Sequence, residues 1–326
     1  MDHGLDSTLE GSAPAEAEAA AAAAGKAAEA KQRNDRLMTW ATRAAVATAL
    51  TLIGIKIAAW TATQSVSLLS SLMDSLLDGA ASVVTLLAVR QALQPADEDH
   101  RFGHGKAEPL AGLAQAGFIT GSGLFLVIEA VNRLIHPTPV VRTELGIAVI
   151  LFSIVLTLCL VLFQRHVVKK TGSLAIEADS LHYRGDLFMN AGVIMALVLS
   201  GYLGFVYADP LIAMLIAAYI VHGAYGIGKI AVDQLMDKEL PEAERQRVAE
   251  VAMAVAGVLD LHEMRTRTSG RDIFIQLHIE LDREMSLLEA HRISETVEAR
   301  IEKAFPGSEV IVHQDPKGVS ERRRPL

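Results

Sequence analysis

The chain has 326 residues, 51% of them hydrophobic but only 5% aromatic, with a mean hydropathy of +0.31 and a formal net charge of −8. The negative balance speaks against a nucleic-acid partner, and the single cysteine, Cys159, excludes an intrachain disulfide and any Cys-rich zinc motif. Apolar residues gather in runs of about twenty or more between residues 38 and 231, the length that crosses about 30 Å of hydrocarbon as helix, so a polytopic α-helical membrane protein is predicted.

Residues 1–35 form an Ala/Glu-rich tail around "PAEAEAAAAAAGKAAEA". It has no basic segment leading into an apolar core, so no cleavable signal is expected, and it reads as disordered or weakly helical. Residues 36–235 hold six predicted spans, at 38–63, 66–94, 107–135, 143–168, 173–203 and 208–231. Arg33, Arg36 and Arg43 flank the first span. Arg90, Arg101 and Lys106 surround the loop after the second, and Arg165, Lys169 and Lys170 the loop after the fourth. The opposite loops "TATQSVS" and "GYLGFVYADP" carry no basic residue, and "NRLIHPTPVVRTEL" carries only Arg133 and Arg142. This bias places both termini in the cytoplasm.

Beyond Lys229 the composition changes. "LPEAERQRVAEVAMAVAGV" reads as an amphipathic helix opened by Pro241 and closed by Gly257. "LHEMRTRT", the turn "SGRD" and "IFIQLHIEL" read as a hairpin, "SLLEAHRISETVEARIEKAF" as a second amphipathic helix and "SEVIVHQD" as a last strand. The order αββαβ over residues 236–316 predicts a small two-layer α+β domain; residues 317–326 form a tail expected to be unstructured.

Two spans carry charge where charge is expensive. In "SLLSSLMDSLLDGAAS", Asp74 and Asp78 are four apart and share a helix face, with Ser67, Ser71 and Ser75 on or beside it. In "EADSLHYRGDLFMNAGV", His182 and Asp186 repeat the spacing, and Asn190 extends the stripe. Three carboxylates and an imidazole converging from two helices make a four-ligand O/N site of the kind zinc accepts. A bound cation would offset the buried acidity; a proton relay is the alternative that spacing leaves open.

In the predicted second strand, Phe274, Gln276, His278 and Glu280 point to one face and Ile273, Ile275, Leu277, Ile279 and Leu281 to the other, which puts His278 on the polar side. His313 and Asp315, two apart, share a face of the last strand. In "DEDHRFGHGK", spacing alone leaves Asp97, His100 and His104 evenly divided between a metal site and a solvated loop. His3 lies in the tail, His136 in an external loop and His166 at the end of the fourth span. His222, within the sixth span, reads as a packed, hydrogen-bonded residue.

The stretches "SLMDSLLDGAAS", "DEDHRFGHGKAEPLAGLAQAGFITGSGLFLVIEA", "ADSLHYRGDLFMNAGV" and "HEMRTRTSGRDIFIQLHIEL…FPGSEVIVHQDP" resemble the cation diffusion facilitator family, and most of all its bacterial zinc/ferrous-iron efflux branch. The likeness runs from about residue 36 to residue 316. It implies a homodimer of six-helix protomers, each with a metallochaperone-like cytoplasmic domain, exchanging a divalent cation for protons. Carried over by position, the resemblance implies a transport site of Asp74, Asp78, His182 and Asp186, with histidine at 182 accompanying Zn²⁺ and Cd²⁺ selectivity over manganese. It also implies a second metal site at Asp97, His100 and His104, and a zinc cluster of His262, His278, His291, His313 and Asp315 at the domain dimer interface. His291, on a helix, is equally explained by solvent exposure. A charge interlock of Lys106 with Asp237 is implied as well.

Three readings follow: a proton-coupled exporter of divalent metal (Zn²⁺ first, then Fe²⁺ or Cd²⁺), an exporter of organic cations, and a non-transporting membrane metal sensor. The second would want an aromatic cavity, yet the second and fifth spans offer only Tyr183 and Phe188 near the charged stripe. The third leaves the intramembrane quartet unused. With no nucleophile motif and no Gly-rich phosphate loop, an enzyme is not expected.

Overall fold

The computed structural model describes residues 12–64, 66–136, 144–203, 205 and 207–319. Among them, eight helices and three strands follow in the order α1 (Ser12–Thr63), α2 (Val66–Ala92), α3 (Ala107–Ile135), α4 (Glu144–Thr171), α5 (Leu174–Leu203), α6 (Ala208–Leu235), α7 (Glu242–Met253), β1 (Asp260–Ser269), β2 (Asp272–Leu281), α8 (Leu287–Ala304) and β3 (Ser308–Pro316). His3, Arg142, residues 320–326 and the side chain of Ser67 lie outside the described residues.

The tail read as disordered or weakly helical is, from Ser12 onward, the first part of α1, a single helix of 52 residues. Its Ala, Glu and Lys are among the strongest helix formers, and no proline or cap intervenes between residue 15 and the apolar run.

Helices α1 to α6 pack as a bundle through small residues. Ala116 and Ile119 of α3 meet Ala178 and Leu181 of α5 and Ile220, Ala224 and Ile227 of α6. Met38 and Ala41 of α1, Val89 of α2, Ala111 of α3, Val167 of α4 and Ala175 of α5 form a second cluster. Alanine at these contacts lets backbones approach closely where lipid supplies no hydrophobic drive. Among the described residues, five segments, Ala28–Thr63, Leu68–Ala92, Ala107–Ile135, Gly146–Thr171 and Ala208–Leu235, are long and apolar enough to cross a membrane. Helix α5 carries Glu177, Asp179, Arg184 and Asp186 in its first half. Of these, Asp179 is buried, as is every other residue from Leu174 to Tyr183 except Glu177, while Glu177, Arg184 and Asp186 are half-buried. His222 differs from expectation. It lies on the exposed side of α6, because the packed stripe of that helix runs through Ala217, Ile220, Ala224, Ile227 and Ala231.

In the second unit, β1 pairs antiparallel with β2, and β3 joins β2 in parallel after the α8 crossover, giving the order β1-β2-β3. Helices α7 and α8 cover one face: Val248 and Ala252 of α7 and Val297 and Ile301 of α8 pack on Ile275, Leu277, Ile279 and Leu281. Ser286 and Glu289 close a capping box at the start of α8. The other face of the sheet carries the polar residues of β2, with one exception. Phe274 is 7% exposed, because Phe102 from the α2–α3 loop covers it edge-on at 5.6 Å.

That contact is part of a junction between the two units. Arg267 of β1 places its guanidinium 4.7 Å from the Phe102 ring centre and 4.6 Å from that of Phe274. Lys106 Nζ lies 2.9 Å from Asp237 Oδ1, and Arg267 Nη1 reaches the same oxygen at 3.3 Å. The loop also lies against the β1–β2 turn: a Cβ on Gly105 would stand 2.1 Å from the Ser269 carbonyl oxygen, and one on Gly270 (φ +62°) 2.7 Å from that of Gly105. Only glycine allows this approach. On α1, Lys31 pairs with Asp272 at 3.2 Å and Asp35 with Arg271, so opposite charges one turn apart on the helix meet opposite charges side by side on the hairpin.

Candidate metal centres

Among the described residues, three groups of His and carboxylate side chains bring one ligand atom each within 4.8 Å of one another: Asp78, His182 and Asp186; Asp97, His100 and His104; and His262, His278 and Asp315.

The first group lies inside the bundle. His182 Nε2 is 2.8 Å from Asp78 Oδ1 and 3.6 Å from Asp186 Oδ2. The i,i+4 spacing on α5 aims His182 and Asp186 at the same side, towards α2, and Phe118 of α3 lies 5.6 Å from the imidazole. Of the predicted quartet, Asp74 is not among the converging atoms. It sits one turn before Asp78, about 6 Å along α2 by helix geometry, on the side of the α1–α2 turn.

Around the trio is a polar shell that motif spacing did not single out. Asp179, 1% exposed, accepts from Gln164 Nε2 of α4 at 2.6 Å and from the Ser82 hydroxyl of α2 at 3.1 Å. Ser82 also meets the Tyr183 hydroxyl at 2.9 Å, and that hydroxyl donates to the Ala45 carbonyl of α1 at 3.3 Å. Four helices are thereby tied through one carboxylate a turn before His182. At the start of α3, buried Glu108 accepts from the Ser173 hydroxyl. Lys56 of α1 donates to the Ser75 hydroxyl at 2.6 Å and the Ser71 carbonyl at 3.0 Å, both on α2. The readable signal for Asp179 and Lys56 was the charge itself within an apolar run.

The second group is built by the α2–α3 loop folding on itself. The Asp97 carboxylate accepts from the backbone N–H of His100 at 2.7 Å and of Asp99 at 3.0 Å. Those bonds, chiefly the one from His100, hold its carboxyl below the usual range. His100 Nδ1 lies 3.4 Å from Asp97 Oδ1 and His104 Nε2 3.3 Å from Asp97 Oδ2, with the two rings 4.5 Å apart. A carboxylate kept ionised between two imidazoles is a ligand set for a borderline divalent ion.

The third group sits on the polar face of the sheet. His262 and His278 are opposite each other in the β1–β2 ladder, and a bulge follows at once, with Glu263 at φ +46° and the register resuming at Arg265. His313 is opposite His278 on the other side. Asp315, 4% exposed, joins all three: Oδ2 lies 3.1 Å from His262 Nε2 and 2.9 Å from His278 Nδ1, while Oδ1 lies 3.2 Å from His313 Nε2. His291 is not part of the group. It sits on α8, on the opposite face of the sheet, 60% exposed and 3.4 Å from Glu295.

Residues 42–236 match the family model described as cation efflux transmembrane domain, and residues 240–317 the cation efflux protein cytoplasmic domain. Similar curated proteins include the cation-efflux pump FieF of Shewanella oneidensis, 51% identical over 276 residues covering 85% of this chain and 93% of that protein. Another is FieF of Salmonella arizonae, 49% identical over 291 residues covering 89% and 97%. Among solved structures, the Zn form of CzrB is 28% identical over 26% of this chain and 99% of its own, with a TM-score of 0.25. The nickel form of a MamM CTD variant is 31% identical over 24% and 99%, with a TM-score of 0.23.

Proposed function

The chain belongs to the cation diffusion facilitator (cation efflux) family, is of the FieF type, and serves the efflux of divalent metal cations; from that premise we propose that it is a proton-coupled exporter with a preference for Zn²⁺. The observation that carries this reading is the convergence of Asp78, His182 and Asp186 between α2 and α5. Two carboxylates and one imidazole suit zinc better than a harder ion. Asp74, on the same face of α2, is the fourth ligand that completes a tetrahedral shell when the ion enters.

Helix α5 also spans the membrane, which makes six spans in all, with its Asp179 sheltered by the bundle, and both termini face the cytoplasm of a bacterial inner membrane. Transport is alternating access around the site. Facing the cytoplasm, ionised carboxylates and neutral imidazole capture the ion. Facing outward, protons compete for the same atoms and release it. Metal binding requires deprotonated ligands, so the two cargoes are linked by mass action, and an imidazole, with an ordinary pKa of about 6.5, titrates between the pH values on the two sides. The protein works as a homodimer held in part by its cytoplasmic domains. Zinc on the His262, His278, His313 and Asp315 cluster favours the transport-competent arrangement to the extent that it binds that state more tightly.

The test is metal flux in reconstituted vesicles under a fixed pH difference, with Zn²⁺, Fe²⁺, Cd²⁺ and Mn²⁺ in turn. Zinc is expected to move fastest, with protons moving the other way, and Asp78→Ala or His182→Ala to abolish flux. Wild-type zinc flux in either variant would refute the site.

A further inference from the structure

Lys56 lies in the apolar run "TLIGIKIAAW" of α1, and none of the three ligand groups uses it. A lysine in a membrane helix is costly unless its ammonium is satisfied, and it marks function by default. Its two contacts on α2, the Ser75 hydroxyl and the Ser71 carbonyl, are both to neutral oxygens. Ser75 is 2% exposed. Ser71, Asp74, Ser75 and Asp78 lie on one face of α2 at steps of three and four, so the ammonium stands beside the acidic stripe, within Coulombic reach of Asp78, Asp186 and Asp74. Because α2 begins at the α1–α2 turn and Ser71 precedes Asp78, Lys56 is displaced from the trio towards that turn, the external side in the proposed orientation.

We propose that Lys56 is a tethered counter-cation of the intramembrane site, held on Ser71 and Ser75, which offsets the carboxylates while the site is empty and opposes the dication once it is bound. A fixed positive charge beside the stripe weakens metal affinity. Its place towards the external turn puts that repulsion where the ion leaves. Ser75 sets the strength of the effect, because its hydroxyl holds the ammonium short of the carboxylates. A plain structural tie between α1 and α2 would need the hydrogen bonds but not the charge, and the two roles separate on that point. The proposal rests on the trio being the transport site.

The experiment uses the full-length chain in lipid nanodiscs with His100, His104, His262 and His278 replaced by Ala, and titrates Zn²⁺ against a competing chelator at fixed pH. Lys56→Gln, which keeps a donor and removes the charge, is expected to bind zinc about tenfold tighter or more. Lys56→Arg, which keeps the charge, retains the parent affinity. Ser75→Ala, which frees the ammonium to approach the carboxylates, binds more weakly. Unchanged or weaker binding in Lys56→Gln overturns the proposal. If that variant does not fold, Ser75→Ala decides: weaker binding supports the role, and unchanged or tighter binding overturns it. Asp78→Ala in the same background separates the premise, since zinc binding that survives it refutes the site assignment whatever Lys56 does.

Discussion

Asp315 shows how much one side chain carries in this protein. Its two oxygens face three imidazoles from three strands, and it is nearly inaccessible to water, so Asp315→Ala removes the only carboxylate common to His262, His278 and His313. The expected outcome is loss of zinc from the cytoplasmic cluster with the other two groups still loaded, read as a drop in bound zinc per chain by elemental analysis. His291→Ala is expected to leave that number unchanged. The spacing of His182 and Asp186, and of His313 and Asp315, was legible because two residues on one element share a face by geometry alone. What spacing could not supply was level. Asp74 and Asp78 are equivalent on a helical wheel, and only the docked height of α5 against α2 puts Asp78, not Asp74, at His182. The same limit hid Asp179 and Lys56. Each was visible as a charge in an apolar run, but their partners come from other helices, whose docked height the sequence does not give.

At the scale of elements, α8 is fixed by its first turn. Ser286 and Glu289 satisfy each other's backbone donors, and the Ser286 hydroxyl holds the Glu289 carboxyl below its usual range. Replacing Ser286 by Ala is expected to cost about 1 kcal/mol, seen as a lower denaturation midpoint of the cytoplasmic unit. The α2–α3 loop is more demanding. Gly105 and Gly270 approach backbone to backbone, so Gly105→Ala cannot be absorbed by a flexible side chain. It is expected to lift the loop from the hairpin, raising hydrogen exchange at residues 269–272 while α7 and α8 keep their protection. Secondary structure in the cytoplasmic unit was readable almost residue by residue from period-two and helical patterns. The burial of Phe274 was not, because its cover comes from a loop in the other unit. The extent of α1 was half legible: the Ala/Glu composition of residues 12–35 allows helix, and in the structure that helix runs unbroken into the first span.

For the whole molecule, the bundle and the cytoplasmic unit meet at a junction centred on Lys106, Asp237 and Arg267. Asp237, at φ +54° just past α6, holds Lys106 and Arg267 at once. Partial burial pushes its carboxyl up, but the bonds and charges of Lys106 and Arg267 prevail and leave it below the ordinary value. A depressed carboxyl stabilises the junction above the unfolded pKa of about 4 and loses that contribution as the pH falls through the folded value. The lock is therefore closed throughout the neutral range and opens only in acid. Asp237→Asn is expected to loosen the two units at pH 7, with a broader distance distribution between spin labels on α3 and α8, and to reduce the further change in that distribution below pH 4. Whole-molecule architecture was the most legible level, since hydropathy and the change of composition after Lys229 each follow from the physics of the bilayer. The contacts that join the two units were the least legible.

The most direct test of the account is to locate zinc in the full-length protein by anomalous scattering. An ion between α2 and α5, ligated by Asp78, His182 and Asp186 with Asp74 drawn in as the fourth ligand, is the predicted result. Zinc on the loop and cytoplasmic groups, with none between those helices at saturating metal, would contradict it.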